Sequence, residues 1–255
     1  MPSLPLILTA ILPLALAPLA SPALASSTDS TVRYHTMSID GTDVFYREAG
    51  PKDAPTIVLL HGFPTSSNMF RNLIPKLAPH YRVIAPDYPG FGQSAVPDRA
   101  AFRYTFDNLA NSVDTLLQKL GARRYALYVM DYGAPVGFRI ALEHPERVTA
   151  LVVQNGNAYE EGLKEFWTPI KKYWASGSKS DREALRVATT LESNRWQYLD
   201  GVRDPSRIDP TTWTYDQALL DRPGNVEIQL DLFFDYRTNV ELYPRVHAFF
   251  REHRP

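Results

Sequence analysis

Tyr125-Ala126-Leu127-Tyr128-Val129-Met130-Asp131-Tyr132-Gly133-Ala134-Pro135-Val136 decides how this chain folds. The unbroken apolar run 125–129 suits a strand buried on both faces of a parallel sheet. A glycine two residues past a lone carboxylate permits a sharp turn into a helix, whose inward stripe is Val136, Ile140 and Ala141. An aspartate at such a joint has an ordinary reading as a helix N-cap, because a carboxylate satisfies free backbone N–H groups. Two other segments favour a chemical reading, in which Asp131 projects from the turn as a nucleophile. His61-Gly62-Phe63-Pro64 follows the apolar run 56–60, and Asp87-Tyr88-Pro89-Gly90-Phe91-Gly92-Gln93-Ser94 follows the run 82–85.

Outward from these joints the pattern stays regular. Residues 31–36 alternate in polarity, meet Asp40-Gly41 and resume at Val44-Phe45-Tyr46, which predicts a hairpin with a tight turn. Met69, Phe70, Leu73, Ile74 and Leu77 predict one amphipathic helix, and Leu109, Val113, Leu116, Leu117 and Leu120 another. With a further strand at 151–153, strand and helix alternate as in a doubly wound α/β sheet, here spanning residues 31–155. Residues 156–230 read as a helical insertion, with a helix over 182–191, and contain all four tryptophans: Trp167, Trp174, Trp196 and Trp213. Those rings read either as the insertion's own small core or as part of a lid over the carboxyl ends of the strands. Residues 231–255 read as a return helix of the core, with its clearest periodicity over 242–251.

A net charge of -1 without long Lys/Arg runs gives no electrostatic footprint for nucleic acid or an anionic membrane. The expected partner is a small hydrophobic organic molecule. The chain has no cysteine, which excludes disulfides, thiolate metal sites and a cysteine nucleophile. No metal and no cofactor is expected, and the oligomeric state stays open. Residues 4–19 are apolar and uncharged, and they lead to Ala23-Leu24-Ala25 before a polar stretch. Residues 1–25 therefore read as a secretory signal peptide that directs export to the periplasm or beyond, with no membrane partner after cleavage.

Together the three joints resemble the α/β-hydrolase superfamily, specifically its epoxide hydrolase and haloalkane dehalogenase branch, from about Val32 onward. The resemblance implies a mostly parallel sheet with an N-terminal hairpin and a helical cap, the last strands and helices lying beyond this chain. It makes Asp131 the nucleophile, the backbone N–H groups of Phe63 and Tyr132 an oxyanion hole, and Pro64 a cis-proline. His61 reads as a brace for its loop. An opening epoxide needs a proton donor for its alkoxide, whereas a departing halide needs N–H groups around an anion. Dehalogenases usually carry tryptophan where this chain has Tyr132, which leans the reading toward epoxides. Asp235-Tyr236-Arg237-Thr238-Asn239 resembles the segment whose tyrosine donates to the epoxide oxygen, so Tyr236 is the proton-donor candidate. Tyr159, Tyr173, Trp167 and Asn157 are the substrate-binding candidates, and Asn155 either binds an anion or caps a turn.

In that family an acid and a histidine follow the nucleophile, each on a loop after a later strand. After Asp131 the chain has only His144, which ends the helix behind it, and His247 and His253, which lie in or just after the helical run 242–251 with no strand after them, and Gln154-Asn155 stands where an acid is sometimes found. Glu160 and Glu161 are remote candidates for that acid. The expectation is a chain cut short before both partners, limited to the first half-reaction or inactive. Haloalkane dehalogenation and small-molecule binding without turnover remain as alternatives, and Asp131 at the turn argues against a serine-esterase type. N-terminal sequencing of the exported protein is expected to begin at Ser26; a product beginning at Met1 would refute the leader.

Overall fold

The computed structural model describes residues 30–255, so the leader read in residues 1–25 lies outside the described residues. Strands β1 (Arg33–Ile39) and β2 (Thr42–Ala49) form the expected hairpin. Its turn places Asp40 and Gly41 at φ 48° and 82°, a left-handed pair that Asp-Gly adopts readily. Strands β3 (Thr56–Leu60), β4 (Arg82–Pro86), β5 (Tyr125–Met130) and β6 (Val148–Gln154) complete a six-stranded sheet in the order β1-β2-β4-β3-β5-β6. β2 runs antiparallel to β4, while β3, β4, β5 and β6 run parallel to one another.

The continuous apolar strands feed two cores, because alternate side chains leave opposite faces. Ile57, Leu59, Val83 and Ala85 pack with Phe70 and Ile74 on one face. Val58, Leu60 and Ile84 pack on the other with helices α2 (Phe106–Lys119) and α3 (Gly133–Glu143). The predicted helix through Met69 and Leu77 is instead a 3-10 turn, Ser67–Phe70, followed by a single α turn, α1 (Ile74–Leu77). Pro75 has no N–H to continue a helix, so the chain restarts with proline at the first turn.

After β6 come α4 (Thr168–Ser176), α5 (Lys179–Ala184), α6 (Leu191–Leu199), α7 (Thr211–Leu220), α8 (Asn225–Asp235) and α9 (Arg237–His253). The single helix predicted over 182–191 is a correction. α5 stops at Ala184, a 3-10 turn covers Leu185–Thr189, and α6 begins where the Thr190 hydroxyl accepts from the Ser193 N–H. Thr190 prefers the capping role to a helical one. The return to the core is made at the joint of α8 and α9. Here the Asp235 carboxylate accepts from the Phe106 N–H at 2.8 Å and so caps the start of α2. Arg139 of α3 donates to Thr238 and Asn239 at 2.9 and 2.6 Å. Phe138 meets Phe250 with ring centroids 5.7 Å apart.

β6 pairs with β5 alone among the described residues, and its Val152 and Val153 are exposed although they point to opposite faces. An exposed apolar edge invites pairing with another chain. Val153→Lys is expected to lower self-association, read by light scattering at high concentration, while changing unfolding stability by no more than about 0.5 kcal/mol. Unchanged association would clear this edge of blame.

Candidate active site

Asp131 stands at the end of β5 with φ 51°, in the left-handed region that a non-glycine residue occupies only when its surroundings enforce it. Two close approaches enforce it here. A side chain at Gly62 would begin 2.3 Å from Asp131 Cβ, and one at Gly133 would begin 2.1 Å from the Leu60 carbonyl oxygen. The joints after β3 and β5 are thus pressed together, and only glycine lets them meet. The Phe63–Pro64 peptide is cis. Phe63 N–H donates to Asp131 Oδ1 at 2.8 Å. Burial pushes the Asp131 carboxyl up to about 6, and the N–H groups of Phe63 and Tyr132, both hydrogen-bonded to it, oppose that rise.

Asp131 opens onto a cavity of about 220 Å³. Phe63, Tyr132, Phe233 and Tyr236 form its inner wall, while Phe166, Trp167, Ile170, Leu185, Val187, Ser193 and Gln197 supply the roof from the helical insertion. Asp131 is the only charged residue in the lining among the described residues. Tyr236 is buried, its ring 4.5 Å from Trp167, 5.5 Å edge-on from Phe106 and 6.1 Å from Tyr132. Burial lifts its phenol well above the ordinary tyrosine range, so the hydroxyl keeps its proton. Tyr243, which neighbours Tyr236 and helps to raise its phenol, accepts from Asn157 Nδ2 at 2.9 Å. The Tyr132 hydroxyl is buried and has no hydrogen-bond partner among the described residues.

The substrate-binding candidates separate. Trp167 lines the cavity, but Tyr159, Tyr173 and Asn157 do not, which corrects the expectation for those three. Tyr159 is exposed and stacks on His247 at 4.3 Å, Tyr173 packs on Phe234 and accepts from Arg182, and Asn157 serves Tyr243. Short polar or aromatic side chains near a joint carry no directional signal in sequence. Tyr243 lies seven residues after Tyr236, two turns along one helical face, and that spacing was the available clue. Trp174 donates to the Phe233 carbonyl and Trp213 packs near Tyr198, while Trp196 lies at the surface. The four tryptophans therefore do not share one role.

His61 is a brace: its Nε2 accepts from the Tyr88 N–H at 3.3 Å, its Nδ1 meets the Gly62 carbonyl, and burial lowers its pKa. Asp87 holds the neighbouring loop by accepting from the N–H groups of Ser67 and Gln93 at 2.7 and 2.8 Å. His144 pairs with Asp114, His247 with the Ala158 carbonyl, and His253 stacks on Phe249. None of them lines the Asp131 cavity, nor do Asn155, Glu160 or Glu161. Among the described residues no group of side chains has the makings of a metal site, and no helix is long and apolar enough to cross a membrane.

Residues 55–206 match the family model of the α/β hydrolase fold. An uncharacterized hydrolase of Saccharomyces cerevisiae is 49% identical over 225 residues, covering 86% of this chain and 77% of the yeast protein. A haloalkane dehalogenase of Mycobacterium marinum is 41% identical over 128 residues, covering 48% of this chain and 43% of that protein. The solved structure of the epoxide hydrolase CorEH superposes with a TM-score of 0.67 at 23% identity, covering 84% of this chain and 77% of that one.

The raised carboxyl at Asp131 links stability to pH. Folded and unfolded carboxyls titrate near 6 and 3.8, so the folded chain holds the extra proton between those values and loses stability as pH rises through that window. The full effect is on the order of 3 kcal/mol. Asp131→Asn keeps an acceptor for Phe63 and removes the charge. Its unfolding free energy is expected to exceed the parent's by a gap that opens between pH 4 and 6 and persists at pH 8. A constant gap in denaturant titrations across that range would contradict the assignment.

Proposed function

We propose that this chain, which belongs to the α/β-hydrolase fold family, is a hydrolase of the epoxide hydrolase type that works through an ester on Asp131. The observation that carries the reading is one carboxylate, gripped on a single oxygen by backbone N–H and facing a buried tyrosine hydroxyl across an apolar cavity. Asp131 Oδ2 attacks an epoxide carbon while the C–O bond breaks toward oxygen, and that oxygen takes the Tyr236 proton. Oδ1 becomes the ester carbonyl, already held where negative charge gathers when the ester is later cleaved. Helices α4–α7 act as the cap that keeps water away from the reacting carbon.

A neutral substrate fits the lining, since an anion would face the Asp131 charge with no cation to offset it. The dehalogenase relative and the presence of Trp167 in the cavity support haloalkane chemistry as the second reading. Against it, the residue after the nucleophile offers a phenol rather than an indole N–H. Cleaving the ester requires a base that activates water, and no histidine lines the cavity among the described residues. The proposal for the chain as described is therefore alkylation of Asp131, with the leader directing it to an exported location.

Incubation with styrene oxide is expected to add one substrate mass to Asp131, seen by intact and peptide mass spectrometry, without sustained diol release. The alkylation rate should climb tenfold per pH unit below about 6 and level above it, because the carboxylate is the reacting form. Asp131→Ala should abolish the adduct, and Tyr236→Phe should slow it by about 10²- to 10⁴-fold. Sustained turnover lost on His247→Ala or His253→Ala would overturn the half-reaction, and halide release from chloroalkanes without epoxide adducts would favour the second reading.

A further inference from the structure

We infer that the substrate is longer than the cavity enclosing its reactive end, and that its distal hydrophobic part lies along an exposed apolar collar formed by Phe166, Val187 and Trp196. The inference rests on the proposed attack at Asp131 and names the class of epoxide: one bearing an extended uncharged hydrocarbon arm. Size gives the first reason. A dry protein cavity of about 150 Å³ accommodates one benzene, so about 220 Å³ holds the epoxide with a ring or a few methylenes and no more. Anything longer emerges at the mouth.

The mouth gives the second reason. Phe166 and Val187 line the cavity, yet they are 64% and 66% exposed, so the same side chains belong to the interior wall and the outer surface. Trp196, 49% exposed, continues the surface by stacking on Phe166 with the ring planes 11° apart. Phe166, Val187 and Trp196 thus bring together three of the nine exposed large apolar side chains among the described residues. Such a cluster is far from the scattered apolar exposure of an ordinary surface. On α6, Ser193 and Gln197 line the cavity while Trp196 stands on the collar, so a single helix joins the two surfaces. Continuity from Asp131 outward, with no second charged residue among the described residues of the lining, favours the arm of the substrate itself as occupant over a protein partner.

A series of terminal epoxides from 1,2-epoxyhexane to 1,2-epoxydodecane tests this, read as the second-order rate of Asp131 adduct formation. Each methylene that reaches the collar should raise the rate about four-fold, and Trp196→Ala and Val187→Ser should each flatten the slope at the long end. A flat series, or an unaltered slope in both variants, would overturn the collar. Binding of unreactive dodecanol, followed by tryptophan fluorescence in the parent and lost in Trp196→Ala, reports on the collar without the chemistry. Dodecanol binding with no adduct from any epoxide would sink the proposed reaction and leave the collar standing. Dimers in gel filtration that become monomers in Trp196→Ala would make the collar a self-association face and refute the inference.

Discussion

The hydrogen bond from Phe63 N–H to Asp131 Oδ1 ties the ends of β3 and β5 together at the point where both strands leave the sheet. It forms only because Gly62 and Gly133 let two backbones approach closer than any side chain allows. The contact also holds a carboxylate in an apolar setting, where its charge is costly and its nucleophilicity high, since few waters are left to solvate it. Structural strain and chemical purpose therefore share one locus. A backbone angle of 51° at Asp131 is sustained by the same packing that fixes its oxygen.

What could be read from sequence follows this division. The strands and their joints were legible because buried parallel strands leave continuous apolar runs, and sharp joints leave Gly and Pro at fixed offsets, as at Gly62, Pro64 and Gly133. Asp131 was legible from its joint, Phe63, Tyr132 and Tyr236 only through the resemblance of their segments to a family, and the structure brings all four to one cavity. The roof was not legible. Its helices are short, broken by caps such as Thr190, and held by contacts between distant residues that leave no local period. Tyr159, Tyr173 and Asn157 follow β6 in the chain, but the packing after β6 turns them to other neighbours. Phe166, Val187, Ser193 and Gln197 line the cavity for reasons that only the packing of α4–α6 discloses.

The two walls of the cavity thus have different physical character. The inner wall is an extension of the sheet and its buried aromatic rings: Tyr132 meets Phe106 and Phe91, and Phe63 meets Phe233. The roof joins the same apolar core through Ile170, Tyr173 and Leu185 and adds polar contacts to that packing. Arg99 reaches Asp231 from the core at 2.6 Å, Asn225 donates to the Gly90 carbonyl at 2.6 Å, and Arg182 pairs with Glu227 and Asp231 within the insertion. Charged, partly exposed contacts respond to ionic strength, whereas packed rings do not. Ionic strength therefore acts on these charged pairs and not on the packed rings around Asp131.

Asp235 gives this arrangement a fixed axis. Its carboxylate is spent on the first turn of α2, a core helix, and Thr238 and Asn239 are held by Arg139 of another. Tyr236 lies between these fastenings, so its phenol belongs mechanically to the sheet layer although it follows the insertion in sequence. A roof swinging aside to admit or release a molecule would turn about this axis like a door about its post, and the phenol, seated at the post, would keep its distance from Asp131 throughout.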